Sequence, residues 1–146
     1  MRSKRHDQRG AAALEFALSF VLLFALFAGV FQFGYTMYIY NGLATAAAQG
    51  ARLAARSTFT APGTTFVQSV KNMVVFGSPS GGTVPLVPGL TTANVEVTWT
   101  ADAAGVPESV TVSIRNYSIN AVFTNYTFDA KPKATMRYEG RYRTPS

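Results

Sequence analysis

Cysteine is absent from all 146 residues, so the chain can form no disulfide and offers no thiolate to a metal. Histidine occurs once, as His6 near the start, which removes any histidine-based hydrolytic triad from the rest of the chain. Charged residues make up only 14% of the sequence. Beyond residue 40 the carboxylates Glu96, Asp102, Glu108, Asp129 and Glu139 match neither a calcium loop nor a paired acid–base site. Gly81-Gly82 lacks the rest of a phosphate-binding loop. These absences argue against an enzyme, and the sequence calls for no cofactor or metal.

What the chain has is a long apolar run. From Phe16 to Tyr40 there are 25 residues without a charge, and Gln32 is the single strongly polar side chain among them. Crossing the hydrocarbon core takes roughly 20 such residues in a helix. The run therefore predicts a transmembrane helix over about 16–40. Glu15 lies one turn inside the apolar stretch that starts at Gly10. A carboxylate there costs roughly 2.5–3.5 kcal/mol at a helix centre and less near an end. Glu15 either snorkels to the headgroups of a plain signal-anchor or serves a function. Arg2, Lys4, Arg5 and Arg9 precede the run against Asp7 alone. The positive-inside rule then puts the N-terminus in the cytoplasm and everything after Tyr40 outside.

The run is patterned at the helical period. Phe16, Phe20, Phe24, Phe27, Phe31, Tyr35 and Tyr38 share one face, and Tyr35, Tyr38 and Tyr40 cluster where aromatic rings favour the membrane–water boundary. The opposite face carries Ala25, Gly29, Gln32 and Thr36, small or slightly polar residues of the kind that let helices approach closely in a membrane. Alanine-rich NGLATAAAQGARLAAR follows, and the pattern predicts one helix from about Ala11 to Arg56, roughly 70 Å long. Leu43, Ala47, Gly50, Ala51 and Ala54 line the packing face of its outer half.

The remaining residues, 57–146, suffice for one small extracytoplasmic α+β domain. Ser57 to Thr64, with Pro62-Gly63, reads as a loop. A short helix follows over about Thr65 to Phe76, burying Phe66, Val67, Val70, Met73 and Val74 and stopping at Gly77. Gly77 to Asn94 is rich in glycine and proline and predicts irregular chain. Val95, Val97 and Trp99, then Val110, Val112 and Ile114, alternate with polar residues as an antiparallel pair with one buried face. Ala134, Met136 and Tyr138 suggest a third strand, while the aromatics between Tyr117 and Asp129 show no period. The expected architecture is a small antiparallel sheet of about three strands, covered by a helix and tethered to a long membrane helix.

The formal charge of +6 is split evenly between the leader and the rest. The basic C-terminal stretch KPKATMRYEGRYR carries no nucleic-acid-binding motif and reads as a solvated strand edge; no nucleic acid is expected as a partner. Asn116-Tyr117-Ser118 and Asn125-Tyr126-Thr127 match the glycosylation pattern without further support.

The stretch RGAAALEF, behind a short basic leader, resembles the class III leader of prepilins. The surrounding text, RGAAALEFAL through FQFGYTMYIY, then AAAQGARLAAR and the closing ATMRYEG, is similar to TadE-type minor pilins (pseudopilins) of the tight-adherence pilus. The similarity covers the first 56 residues well and the rest weakly. It implies a leader at 1–10, a prepilin peptidase cut between Gly10 and Ala11, and assembly roles for Glu15 and Phe16 at mature positions five and six. Implied partners are the peptidase, other pilins and minor pilins, the inner-membrane assembly platform and the lipid bilayer. The implied role is assembly, priming or tip formation of a pilus used for adherence. Major subunits of such fimbriae are usually shorter, so the outer domain points to a minor subunit. Two alternatives stay open. One is a permanent single-pass anchor presenting an extracytoplasmic binding domain. The other is a secreted protein cut near Ala46-Ala47-Ala48, against which the length of the apolar run argues.

Overall fold

The computed structural model describes residues 4–60, 63–103, 105–120 and 125–143. One helix, α1, runs unbroken over Lys4–Arg56 for 53 residues, about 80 Å. It ends where the sequence pattern ends but begins seven residues earlier than Ala11. Lys4, Arg5, Gln8 and Arg9 are good helix formers, and adding turns to an existing helix needs no new nucleus. Met1 to Ser3, including the basic Arg2, lie outside the described residues.

After α1 come β1 (Phe59–Thr60), α2 (Thr64–Phe76), a single 3-10 turn at Thr92–Asn94, β2 (Val95–Ala101), β3 (Pro107–Ile114), β4 (Tyr117–Asn120), β5 (Asn125–Phe128), β6 (Lys133–Arg137) and β7 (Tyr142–Arg143). The main sheet has the order β2-β3-β6 and is antiparallel throughout, pairing Val97 with Val112 and Val112 with Ala134. This is the α+β arrangement that the alternating patterns predict, with the third strand starting at Lys133. Two smaller pairs accompany it. The segment read as a loop holds β1, which pairs in parallel with β7, and within the aperiodic aromatic stretch β4 pairs antiparallel with β5, its residues 121–124 lying outside the described ones. Pro62 of the expected loop lies outside the described residues.

The core lies between the outer half of α1, α2 and one face of the sheet. Leu43, Ala47, Ala51 and Ala54 of α1 are fully buried, together with Val70 and Val74 of α2 and Val110, Val112 and Ile114 of β3. Every residue assigned to the outer packing face of α1 is thus buried, and Gly50 among them sets the closest approach. A Cβ at Gly50 would run into Val74, a side chain too stiff to move aside.

Two assignments on the buried faces change. On α2, Val67 and Met73 are only partly covered, while Val75 is buried at 1% exposure. The loop after Gly77 folds back over that side, with Leu86 N–H donating to Val75 O at 2.7 Å. Trp99 stands on the core side of the register but is 36% exposed, because it sits past the end of the covered sheet. Its ring meets Phe59 edge-on at 5.1 Å. Gly77 ends α2 as expected, left-handed at φ 72°, with its N–H donating to Met73 O.

Tyr138 ties the far end together. Its hydroxyl accepts from Phe59 N–H at 3.0 Å and lies within donating distance of Ser57 O at 2.8 Å and Arg141 O at 2.9 Å. Burial raises its phenol above the ordinary value, and the hydrogen bond from Phe59 pulls the other way. Burial also raises Tyr117, helped by the neighbouring Tyr35.

Two outcomes are expected. Gly50→Ala overpacks the α1–α2 contact and should destabilise the domain by a net of about 1–2 kcal/mol despite the better helix propensity of alanine. Denaturant melts should show this, and Val74→Ala should restore part of it. The raised phenols of Tyr117 and Tyr138 mean the folded state keeps protons that the unfolded chain would release. Their contribution is complete below pH about 10 and is lost as pH rises through the folded values. Replacing both by phenylalanine should flatten the alkaline loss of stability, measured as midpoints across that range.

Candidate functional site

The residues singled out in the sequence all lie on α1, in two groups. Gly10, Ala11, Glu15 and Phe16 occupy its N-terminal third, and all are exposed. Ala11 and Glu15 stand one turn apart on nearly the same face, separated by about 6 Å along the axis. The Phe16 ring stacks on Phe20 at 6.3 Å, and Phe20 on Phe24 at the same spacing, which begins the aromatic stripe. A Cβ added at Gly10 meets nothing within 4 Å. Among the described residues, nothing in the packing therefore requires glycine at position 10.

The environment these residues need is set by their neighbours. From Leu14 to Phe33 every leucine, valine and phenylalanine is more than half exposed. A contiguous apolar surface of that extent is far larger than water tolerates on a soluble protein. The helix is long and apolar enough to cross a membrane once, and its surface is that of a single-pass anchor.

The second group divides. Ala25 and Gly29 are exposed, and a Cβ at Gly29 also meets nothing. Gln32 and Thr36 are half-buried, and Thr36 Oγ1 donates to Gln32 O at 2.9 Å. Gly29, Gln32 and Thr36 form one wall of an apolar groove of about 440 Å³ whose other wall is Tyr126 and Phe128 of the hairpin. The Phe128 ring lies 5.5 Å from Tyr40. The structure thus brings the upper part of the small-residue face against the chain's own outer domain and leaves the lower part open. Tyr126 and Phe128 were missed in the sequence because their strands are only four residues long. The available signal was the absence of any charge from Tyr117 to Phe128.

Elsewhere the polar groups are spread out. Arg115 Nε meets Glu96 Oε2 at 2.6 Å on the exposed sheet surface, and Ser113 Oγ donates to the same carboxylate. Among the described residues, no three of His, Cys, Asp and Glu come together as a metal site would need.

Residues 10–52 match the family model described as TadE-like protein. The match begins at the glycine of RGAAALEF and covers the apolar run and the packing face as far as the GAR segment. Over these residues the chain is similar to that family, in line with the resemblance seen in the sequence. No curated protein and no solved structure matches the chain.

Proposed function

We propose that this chain, TadE-like over its long helix, is a minor pilin of a tight-adherence pilus, cut by prepilin peptidase between Gly10 and Ala11. The family match supports a pilin-like protein associated with such pili, working with other pilus components in a membrane rather than as an enzyme. The observation that carries the finer reading is the placement of Gly10, Ala11 and Glu15 at the start of the apolar run. They lie on an exposed helix surface that no other part of the chain occupies among the described residues.

The chemistry follows from that placement. A peptidase must open the helix locally to reach the bond, and glycine weakens a helix by about 1 kcal/mol relative to alanine. Cleavage would leave an ammonium on Ala11, one turn before the Glu15 carboxylate. Each charge is costly in lipid, and pairing within a subunit or between neighbours offsets the two. The basic leader favours the cytoplasm and the outer domain the opposite side. The open face around Ala25 would meet other pilin helices, and the outer domain would decide incorporation, priming or tip contacts.

Intact mass and N-terminal sequencing of the membrane-extracted protein test the cut. The expected start is Ala11, reverting to Met1 in Gly10→Ala, a substitution that meets no neighbour in the fold. A start at Met1 in cells with active prepilin peptidase would contradict the reading and leave a permanent single-pass anchor. Glu15→Gln should be cleaved normally yet fall about tenfold or more in the sheared pilus fraction, the equivalent of losing about 1.4 kcal/mol of pairing. Unchanged recovery would remove Glu15 from assembly.

A further inference from the structure

The outer domain is fixed along α1 at both ends, which sets its height above the bilayer. At the far end Glu139 N–H donates to Ala55 O at 2.8 Å. At the near end Phe128 packs on Tyr40, and Tyr117 Oη donates to Pro88 O, whose neighbour Val87 rests on Gly42. The hairpin reaches lower still, since Tyr126 shares its groove with Gly29, Gln32 and Phe33.

The bilayer boundary follows from charge. Glu15 costs least at the inner headgroups, so the hydrocarbon layer begins near Phe16. About 20 residues then fill its ~30 Å and bring the outer boundary to Tyr35. Tyr35, Tyr38 and Tyr40 fall in the outer interfacial layer, where such rings concentrate. Gly29 lies six residues below Tyr35, about 9 Å deeper along the axis. The groove, lined by α1 from Gly29 to Tyr40, therefore crosses the boundary, and Tyr126 forms part of its wall.

We propose that the β4–β5 hairpin is a foot seated in the outer leaflet, with Tyr126 in the interfacial layer and phospholipid acyl chains filling the groove against Gly29, Gln32 and Phe33. Two further features fit a lipid occupant. Both walls are largely apolar, and Tyr126 is 46% exposed. Register puts Lys133 opposite Ser113, at the membrane end of the sheet, with Lys131 close by, both exposed. Exposed Asp129 offsets one of these lysines; the remaining positive charge suits an anionic headgroup, where each lysine near the surface contributes about 1 kcal/mol. An insertion of this depth is typical of interfacial elements. The proposal needs α1 to span the bilayer and does not depend on cleavage after Gly10.

The absence of cysteine makes the test direct. Tyr126→Cys, and separately Thr127→Cys with Tyr126 kept, are labelled with an environment-sensitive fluorophore in the full chain. The protein is reconstituted in vesicles of phosphatidylethanolamine and phosphatidylglycerol carrying brominated acyl chains. Glu108→Cys, at the far end of the sheet, is the reference, and the native Trp99 beside Phe59 is a built-in second one. The expected result is quenching several-fold stronger at 126 and 127 than at 108 or Trp99, unchanged as protein is diluted into lipid. Equal quenching at all positions would overturn the proposal. So would quenching or a blue shift that appears only at high protein-to-lipid ratio, because a second copy's helix would then be what fills the groove.

Discussion

Everything outside the bilayer depends on how closely α2 approaches α1. That approach is possible because one face of α1, from Leu43 to Ala54, carries one leucine and otherwise alanine or glycine. At Gly50 there is room for Val74 and for nothing more. With α2 held there, the loop after Gly77 can return across Val75, and the sheet can close the third side through Val110, Val112 and Ile114. Small side chains bury little area individually. Their value lies in bringing backbones together, so that the larger valines opposite them are fully covered.

The membrane helix and the core helix of the domain are one element, with no linker between them. A turn of about 100° per residue makes Ala25, Gly29, Gln32 and Thr36 continue into Leu43, Ala47, Gly50 and Ala54. A single seam runs along α1 from Ala25 to Ala54. Its upper part is filled by the chain's own domain, its middle by β5, and its lower part by nothing among the described residues. The aromatic stripe on the opposite side is exposed from Phe16 to Tyr38. Any second helix that uses the small face must meet it below Gln32, away from the domain. This division of one face between a folded domain and free surface gives a rigid lever, because movement of the helix in the membrane carries the domain with it.

What was legible in the sequence followed from periodicity and punctuation. The 3.6-residue spacing marked α1 and its buried face, alternation at Val95–Val97 and Val110–Ile114 marked the sheet, and Gly77 marked the stop of α2. What was not legible depends on contacts distant along the chain. β1 and β7 are two residues each and exist because Phe59 and Tyr142 meet across the fold. Val75 is buried by a loop that has no period of its own. Trp99 keeps the alternation of its strand, yet the sheet beneath it has run out of cover. Of the candidate site, Gly10 and Glu15 were visible as a motif. The hairpin wall at Tyr126 and Phe128 was not, since pairing of two short strands is set by tertiary contact rather than pattern.

The claim that the outer half of α1 is part of the domain core is tested by native-state hydrogen exchange on the full chain in lipid nanodiscs under increasing denaturant. Amides from Leu43 to Ala54 should lose protection in one transition with those of Val110 and Val112 in β3, at the same midpoint and with the same slope. Protection in that part of the helix that survives after β3 has opened, or is lost well before it, would contradict a shared core and would make the helix a separate stalk on which the domain is merely carried.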